Sequence, residues 1–472
     1  MEPGIEQEVA GQQTGVIDRA ARVTRGSTFV VGWAFANIIH LLNQTNGDLV
    51  VVVSWVNLLV AVWVLGRPSS AHRLAALAAA QLLDTVWLAP FVPDHQVLAA
   101  AVNVGIVGAY LVMRCPDSSD RLVDRMAPGA RIVLLVAYAA AALAKYNTDF
   151  LEPLRSCAAF VADNATYGLT DAESPVAQVH IWGTLLIESL VPVFLLIRRT
   201  RRWGVIFAGS FHYLVSLSPA ISVADFTYLL WPLFGLFLPA HDMREIGRRV
   251  VEVWRSSDSV VRYDRVPRWV FGGLFVAGIV LAASTGPAVY LFLWLFTTFF
   301  GLWLLVVAVQ VVRKGPAEVE PIGRPTPGQA LLGVALFLLV LGPYLGFGTS
   351  SRFTMFSGLR TEGPGTNHLL FPSIHLIDSQ NDALVVLWSN GASDALALAV
   401  DGKAAIPVVE LRRVLQDDAV GARFQTLDGE RIVVVAGEDH PLREPAPWWE
   451  AKTQHYRPFK VEGVTDPGFC SN

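Results

Sequence analysis

The chain has 472 residues, of which 53% are hydrophobic and only 16% charged, with a net charge of −4 and a mean hydropathy of +0.45; a soluble domain carries about 25% charged residues. That balance excludes an ordinary soluble enzyme, and without a long basic stripe there is no phosphate-neutralising surface, so no nucleic-acid partner is expected. Apolar runs recur near the ~20 residues that a helix needs to cross a bilayer, which predicts a polytopic membrane protein.

Residues 1–27 are polar, with Glu2, Glu6 and Glu8 followed by Arg19, Arg22 and Arg25, and lack the early apolar core and cleavage site of a signal peptide. Spans are then predicted near 28–44, 48–66, 72–93, 95–113, 130–147, 177–198, 203–220, 222–240, 268–285, 288–312 and 328–346. The expected fold is thus an all-α bundle of eleven crossings. Basic residues alternate cleanly between the loops. One side gathers Arg67/Arg73, Arg114/Arg121/Arg125/Arg131, Arg198/Arg199/Arg201/Arg202, the arginines from Arg244 to Arg268, and Arg313/Lys314/Arg324. The other holds only Arg155, with Lys145 at a helix end, and its long 148–176 loop is acidic. The positive-inside rule then places the N-terminus in the cytoplasm of a plasma-membrane protein and the C-terminal region outside. The basic, partly amphipathic stretch 241–267 suits either a helix lying on the anionic leaflet or a solvated connector.

Residues 347–472 change character. Runs such as Asp382–Trp388 and Arg431–Val435 lie between Gly, Asn and Asp turns, which predicts a small, mainly β extracytoplasmic domain. Cys157 and Cys470 fall on that outer side and Cys115 inside, so a disulfide between the first two is allowed, as are two free thiols. No CxxC or Cys/His spacing signals a metal site.

Ionisable groups inside apolar spans are costly and are candidates for function by default. Here they are Asp84, His95, Lys145, His180, Glu188, His212 and Asp225. The predicted topology puts His95, Lys145, His180 and Asp225 near one depth, with Glu188 and His212 about two turns deeper. Structural alternatives stand beside each. Lys145 can be a snorkelling anchor, Glu188 a protonated or paired group with His212 as partner, His95 an interface residue and Asp225 a helix-capping acid. The chemical alternative starts from desolvation, which lowers an ammonium's pKa. A lysine in an apolar wall can thereby serve as a general base toward a lipid-soluble acid such as a quinol. Histidines at the same depth could bind the quinol's second oxygen.

The stretch Tyr138 to Glu152, with Lys145-Tyr146-Asn147-Thr148-Asp149-Phe150 at its centre, resembles the lysine segment of the vitamin K-dependent γ-glutamyl carboxylase and bacterial HTTM (horizontally transferred transmembrane) family. Asp94-His95-Gln96-Val97-Leu98, Leu185 to Pro192 around Glu188, Phe211-His212-Tyr213, Asp225-Phe226-Thr227-Tyr228 and Met355 to His368 are similar to further family segments in the same order. The resemblance covers about residues 20–375. It implies that Lys145 deprotonates reduced vitamin K or menaquinone, that His95 is a catalytic, quinol-binding histidine, and that His212, Glu188 and Asp225 line the cofactor site. O2 and CO2 would be co-substrates of an epoxidation that can be coupled to carboxylation of a protein or peptide on the extracytoplasmic side. The tail of about 125 residues is short for the family's exoplasmic region. The alternative is a non-catalytic HTTM protein that binds membrane lipids or a protein partner.

Overall fold

The structure is a computed structural model that describes residues 23–44, 52–166, 168–170, 174–217, 223–260, 287–315, 321–363, 365–397, 399–400 and 403–461. It is mostly helical. The main helices are α1 (Arg25–Gln44), α2 (Val52–Leu65), α3 (Ala71–Leu88), α4 (Asp94–Val112), α5 (Ser119–Ala144), α6 (Pro175–Leu196), α7 (Arg201–Val215), α8 (Ala224–Gly235), α9 (Ala240–Val260), α10 (Pro287–Lys314) and α11 (Pro327–Val340). Five short strands follow: β1 (Ala383–Ser389), β2 (Ala404–Pro407), β3 (Ala422–Thr426), β4 (Arg431–Val434) and β5 (Phe459–Lys460).

Among the described residues, four helices are long and apolar enough to cross a membrane: α4, α5, α6 and the Thr297–Lys314 part of α10. The expected eleven crossings are therefore not met there. The span expected at 268–285 lies outside the described residues. Other spans come out short for local reasons. The 328–346 run breaks at Gly342-Pro343, leaving α11 at 14 residues, because proline supplies no backbone donor and crowds the preceding turn. α8 is 12 residues and carries Pro232 within it. In contrast α5 starts well before residue 130, running through Pro128 from Ser119.

The chain packs as two compact units that interleave along the sequence: residues 1–84, 102–131 and 193–329, and residues 85–101, 132–192 and 330–472. Both draw on the region expected as the transmembrane domain.

In the first unit α1 is the hub, packed against α2, α8 and α9, while α7 packs on α8 and α10. Close approach is built in by small residues. A Cβ added at Gly26 would lie 2.5 Å from the Asp120 backbone nitrogen, so the start of α1 meets the start of α5 backbone to backbone. Several arginines counted above as loop charges are buried and satisfy helix-end carbonyls. Arg25 and Arg131 both donate to the Leu236 carbonyl, at 2.8 Å and through Nε at 2.9 Å, and Arg201 Nε donates to that of Leu195 at 2.7 Å. Arg202 pairs with buried Asp242 at the head of α9, so the 241–267 stretch begins as a packed helix, and its part beyond Val260 lies outside the described residues. α11 opens on a capping box: Thr326 Oγ1 accepts from the Gln329 amide (3.3 Å), and the Gln329 side chain accepts from the Thr326 amide (2.9 Å).

In the second unit the strands form one antiparallel sheet in the order β4-β3-β1-β2-β5. Val386 faces Phe424 across the β1–β3 register, and both are fully buried with Leu396, Leu411, Leu415 and Val434. The expected β-rich region thus holds a small sheet. Its leading part, from Gly346 to Asp382, contains no strand among the described residues. Left-handed backbone at Ser351, Phe353 and Phe356, with φ of 62°, 59° and 52°, breaks the extended run there. On α6, Val179, Trp182 and Leu186 are 69%, 55% and 60% exposed, an apolar stripe at helical spacing that water would penalise and lipid would not.

Candidate functional site

α5 ends at Ala144, and Lys145 follows in the turn, 3% exposed. Its Nζ lies 2.7 Å from Glu188 Oε2 on α6 and donates to the Ala141 carbonyl at 3.3 Å. The next residue repeats the connection, because the Tyr146 hydroxyl meets Ser189 Oγ at 3.0 Å. Pro192, one turn beyond Glu188, has no N–H, which removes the usual intrahelical partner of the Glu188 carbonyl. Tyr146 packs against an apolar cluster of Phe150, Ala177, Ile181 and Leu185. The lysine therefore meets a carboxylate in a buried wall. Glu188 has Lys145 as its ionic partner, not the expected His212.

The turn after Lys145 is held by Asn147, which is fully buried. Its Nδ2 donates to the Ala144 and Ser357 carbonyls (2.7 and 2.8 Å), and its Oδ1 accepts from the Phe150 amide (2.8 Å), capping the short helix Thr148–Leu151. Asn367 completes the clasp, its carbonyl accepting from the Thr148 amide at 3.0 Å. His368 then reaches the end of α5. Its Nδ1 receives the Leu370 and Phe371 amides, so Nε2 carries the proton and donates to the Leu143 carbonyl at 2.9 Å. Burial pushes this imidazole's pKa down, against the raising effect of the Leu143 bond, which agrees with the neutral tautomer.

Asp94 anchors the same segment from the head of α4. Its carboxylate accepts from the Phe353 and Met355 amides at 2.8 and 3.0 Å and pairs with Arg457 at 3.2 Å. His95 is the next residue and is half-buried. Three stretches far apart in sequence, at Asp94, Lys145 and Met355–His368, thus meet within one unit. No protein-family model, curated protein or solved structure matches the chain. The resemblance above accordingly rests on the quoted residues alone.

The remaining expected site residues, His212 and Asp225, belong to the other unit. The His212 ring lies edge-on to Phe226, with centroids 5.3 Å apart, and its carbonyl accepts from Thr227 Oγ1 at 3.0 Å. Asp225 sits in the first turn of α8. One oxygen accepts from the Phe226 amide (2.7 Å), and the other meets His40 Nδ1 at 3.1 Å, so it contacts a buried histidine as well as standing at the start of its helix. Sequence reasoning missed His40 as that partner, although it was visible as a histidine inside an apolar run. It also missed a buried network in which Asn57 receives the Asn37 amide (2.9 Å) and reaches Asp84 (3.5 Å), while Ser54 donates to Asp84 at 3.3 Å. A second joins Trp33, Gln81 and Asn103. Asn and Gln carry no charge, so a survey limited to ionisable residues passed over them.

Cys157 is disulfide-bonded; Cys470, for which the sequence allows a disulfide with Cys157 or two free thiols, lies outside the described residues. Cys115 is free and exposed.

Proposed function

We propose that the chain is a plasma-membrane protein similar to the vitamin K-dependent carboxylase/HTTM family, in which Lys145 is the base that takes a proton from a membrane quinol. The observation that carries this reading is the buried Lys145–Glu188 pair. Two of the three positions around Nζ have partners among the described residues, Glu188 and Ala141; the third is where the proton arrives. In the proposed step Lys145 Nζ takes the quinol's proton, and the Glu188 carboxylate stabilises the positive charge there in a low-dielectric wall. A buried amine backed by a carboxylate fits a weakly acidic, lipid-soluble phenol. Reduced vitamin K or menaquinone, when bound, supplies the acidic O–H and the reducing equivalents for O2, with CO2 as the further co-substrate of any coupled carboxylation. His95, close in sequence to the Asp94 anchor, would hold the quinol's other oxygen. A protein or peptide acceptor is assigned to the outer side. The finer topology belongs to the same proposal: eleven crossings, a cytoplasmic N-terminus and an outer C-terminal region, supported by the alternation of arginine-rich and arginine-poor loops.

The test is epoxide formation by detergent-purified protein given the reduced quinone, O2 and bicarbonate. Arginine preserves the positive charge opposite Glu188 but stays protonated, since its pKa exceeds about 12. Lys145→Arg should therefore lower epoxidation about 10²–10⁴-fold, the range for loss of a general base. Equal activity in a folded variant contradicts the assignment. Absence of both epoxide and quinone binding in the wild type favours the non-catalytic lipid- or partner-binding alternative.

A further inference from the structure

A second cluster of charge lies in the unit that contains the sheet and is not used by the reading above. A cavity of about 40 Å³ is lined by Asp149, Arg155, Arg360, Glu362, Arg457 and Lys460, with Cys157 and Ser357 also on its wall. By the usual ~10–15 Å³ per water, it has room for roughly three waters, on the order of one small ion. The carboxylates are already engaged. Asp149 accepts from Arg155 Nη2 at 2.8 Å, and Glu362, 1% exposed, accepts from Thr349 Oγ1 at 2.5 Å and from the Thr361 amide at 2.9 Å. Burial pushes the Glu362 carboxyl's pKa up, although these bonds and Arg457 oppose that rise. The cations are not matched in the same way. The Nε atoms of Arg155, Arg360 and Arg457 are all buried and without a hydrogen-bond partner. A buried donor without an acceptor costs about 1–3 kcal/mol. The guanidinium-bearing side chains of Arg155, Arg360 and Arg457 line one hollow together with Lys460, an arrangement whose donors an acceptor-rich anion would match.

We propose that this cavity binds a small inorganic oxyanion of the phosphate or sulfate type, held by the guanidinium groups of Arg155, Arg360 and Arg457. Arg360 is the most informative of the three. Arg155 and Arg457 also have the carboxylate partners Asp149 and Asp94, whereas no hydrogen bond or ion pair of the Arg360 side chain is present among the described residues. Ser357 connects the site to the clasp, because its carbonyl accepts from Asn147.

The experiment is calorimetric titration of the full-length protein in detergent at low ionic strength, with sodium phosphate, sodium sulfate and, for comparison, sodium chloride. The wild type should bind one phosphate or sulfate saturably and more tightly than chloride. Arg360→Gln should weaken binding by about tenfold or more. Arg360→Lys keeps the charge without the planar fork and should fall between the two. Thermal unfolding checks that each variant folds; should the Gln variant not fold, weakened binding by the Lys variant carries the prediction. The proposal is overturned by an absence of saturable binding to the wild type, by chloride binding as tightly as the oxyanions, or by unchanged affinity in a folded variant. A second arm uses nanodiscs with and without phosphatidate. A stabilisation by phosphatidate that Arg360→Gln abolishes, with no response to free phosphate or sulfate, would move the anion from solution to a lipid headgroup and overturn the proposal as stated.

Discussion

Lys145 and Glu188 stabilise each other only as a pair. Removing one partner of a buried ion pair costs about 3–5 kcal/mol because the other charge is stranded, whereas replacing both by apolar residues of similar size is often neutral. Lys145→Met and Glu188→Leu should each lower the unfolding temperature in detergent, and the double variant should recover it. If the pair is catalytic, the recovered double variant remains inactive; recovery of quinol chemistry along with stability would show that the pair is structural only. Asn147 is a second sensitive point. Asn147→Ala strands the Ser357 carbonyl and the Phe150 amide and should cost about 2–4 kcal/mol, read as a drop in unfolding temperature. Glu410 tests electrostatics away from the membrane-spanning helices. Burial pushes its pKa up, but hydrogen bonds and charge from His455 and Arg413 outweigh that and hold it below its usual value. An acid with a lowered folded-state pKa stabilises the fold above the ordinary value of 4.5, and the contribution is lost as pH falls through the lowered one. Stability should therefore decline on acidification below about pH 4.5, and Glu410→Gln should lose stability at neutral pH while flattening that decline.

Helix-level features depend on residues that carry no charge. At Gly26 any side chain collides with the α5 backbone, so Gly26→Val should destabilise the first unit and lower protein yield after detergent extraction; an unchanged unfolding temperature would show that α1 and α5 are not so closely apposed. Much of the helical content was legible in the sequence, since apolar runs at 95–113 and 177–198 correspond to α4 and α6 within a few residues. Their ends were legible only where proline or a cap marked them. The amphipathic start of α5 was not, because its Arg121, Asp124 and Arg125 resemble a loop until tertiary packing holds them in a helix. The site was legible in part. Lys145 and Glu188 stood out as charges inside apolar runs, but no spacing rule could show that they meet, since α5 and α6 are separated by some thirty residues of irregular chain and short helix. The Asp94 anchor was hidden for the same reason, its partners lying more than 250 residues away at Phe353 and Met355.

Across the whole molecule, the proposed orientation rests on arginine distribution, and three of those arginines also close helix ends while a fourth, Arg202, pairs with buried Asp242. A topological probe independent of arginine is therefore needed. Cys115 is exposed and lies in a turn on the proposed cytoplasmic side. A membrane-impermeant maleimide should modify Cys115, identified by peptide mapping, only after cells are permeabilised; labelling in intact cells would reverse the orientation and place Lys145 near the cytoplasmic face. The central claim is proton transfer to Lys145, and it is best measured before oxygen enters. Reduced menaquinone is added to the purified protein under anaerobic conditions, and the absorption band of the quinolate anion is recorded at neutral pH. The account predicts that band with wild type and its absence with folded Lys145→Arg; equal bands from both proteins, or bound quinol that stays protonated in the wild type, would contradict it.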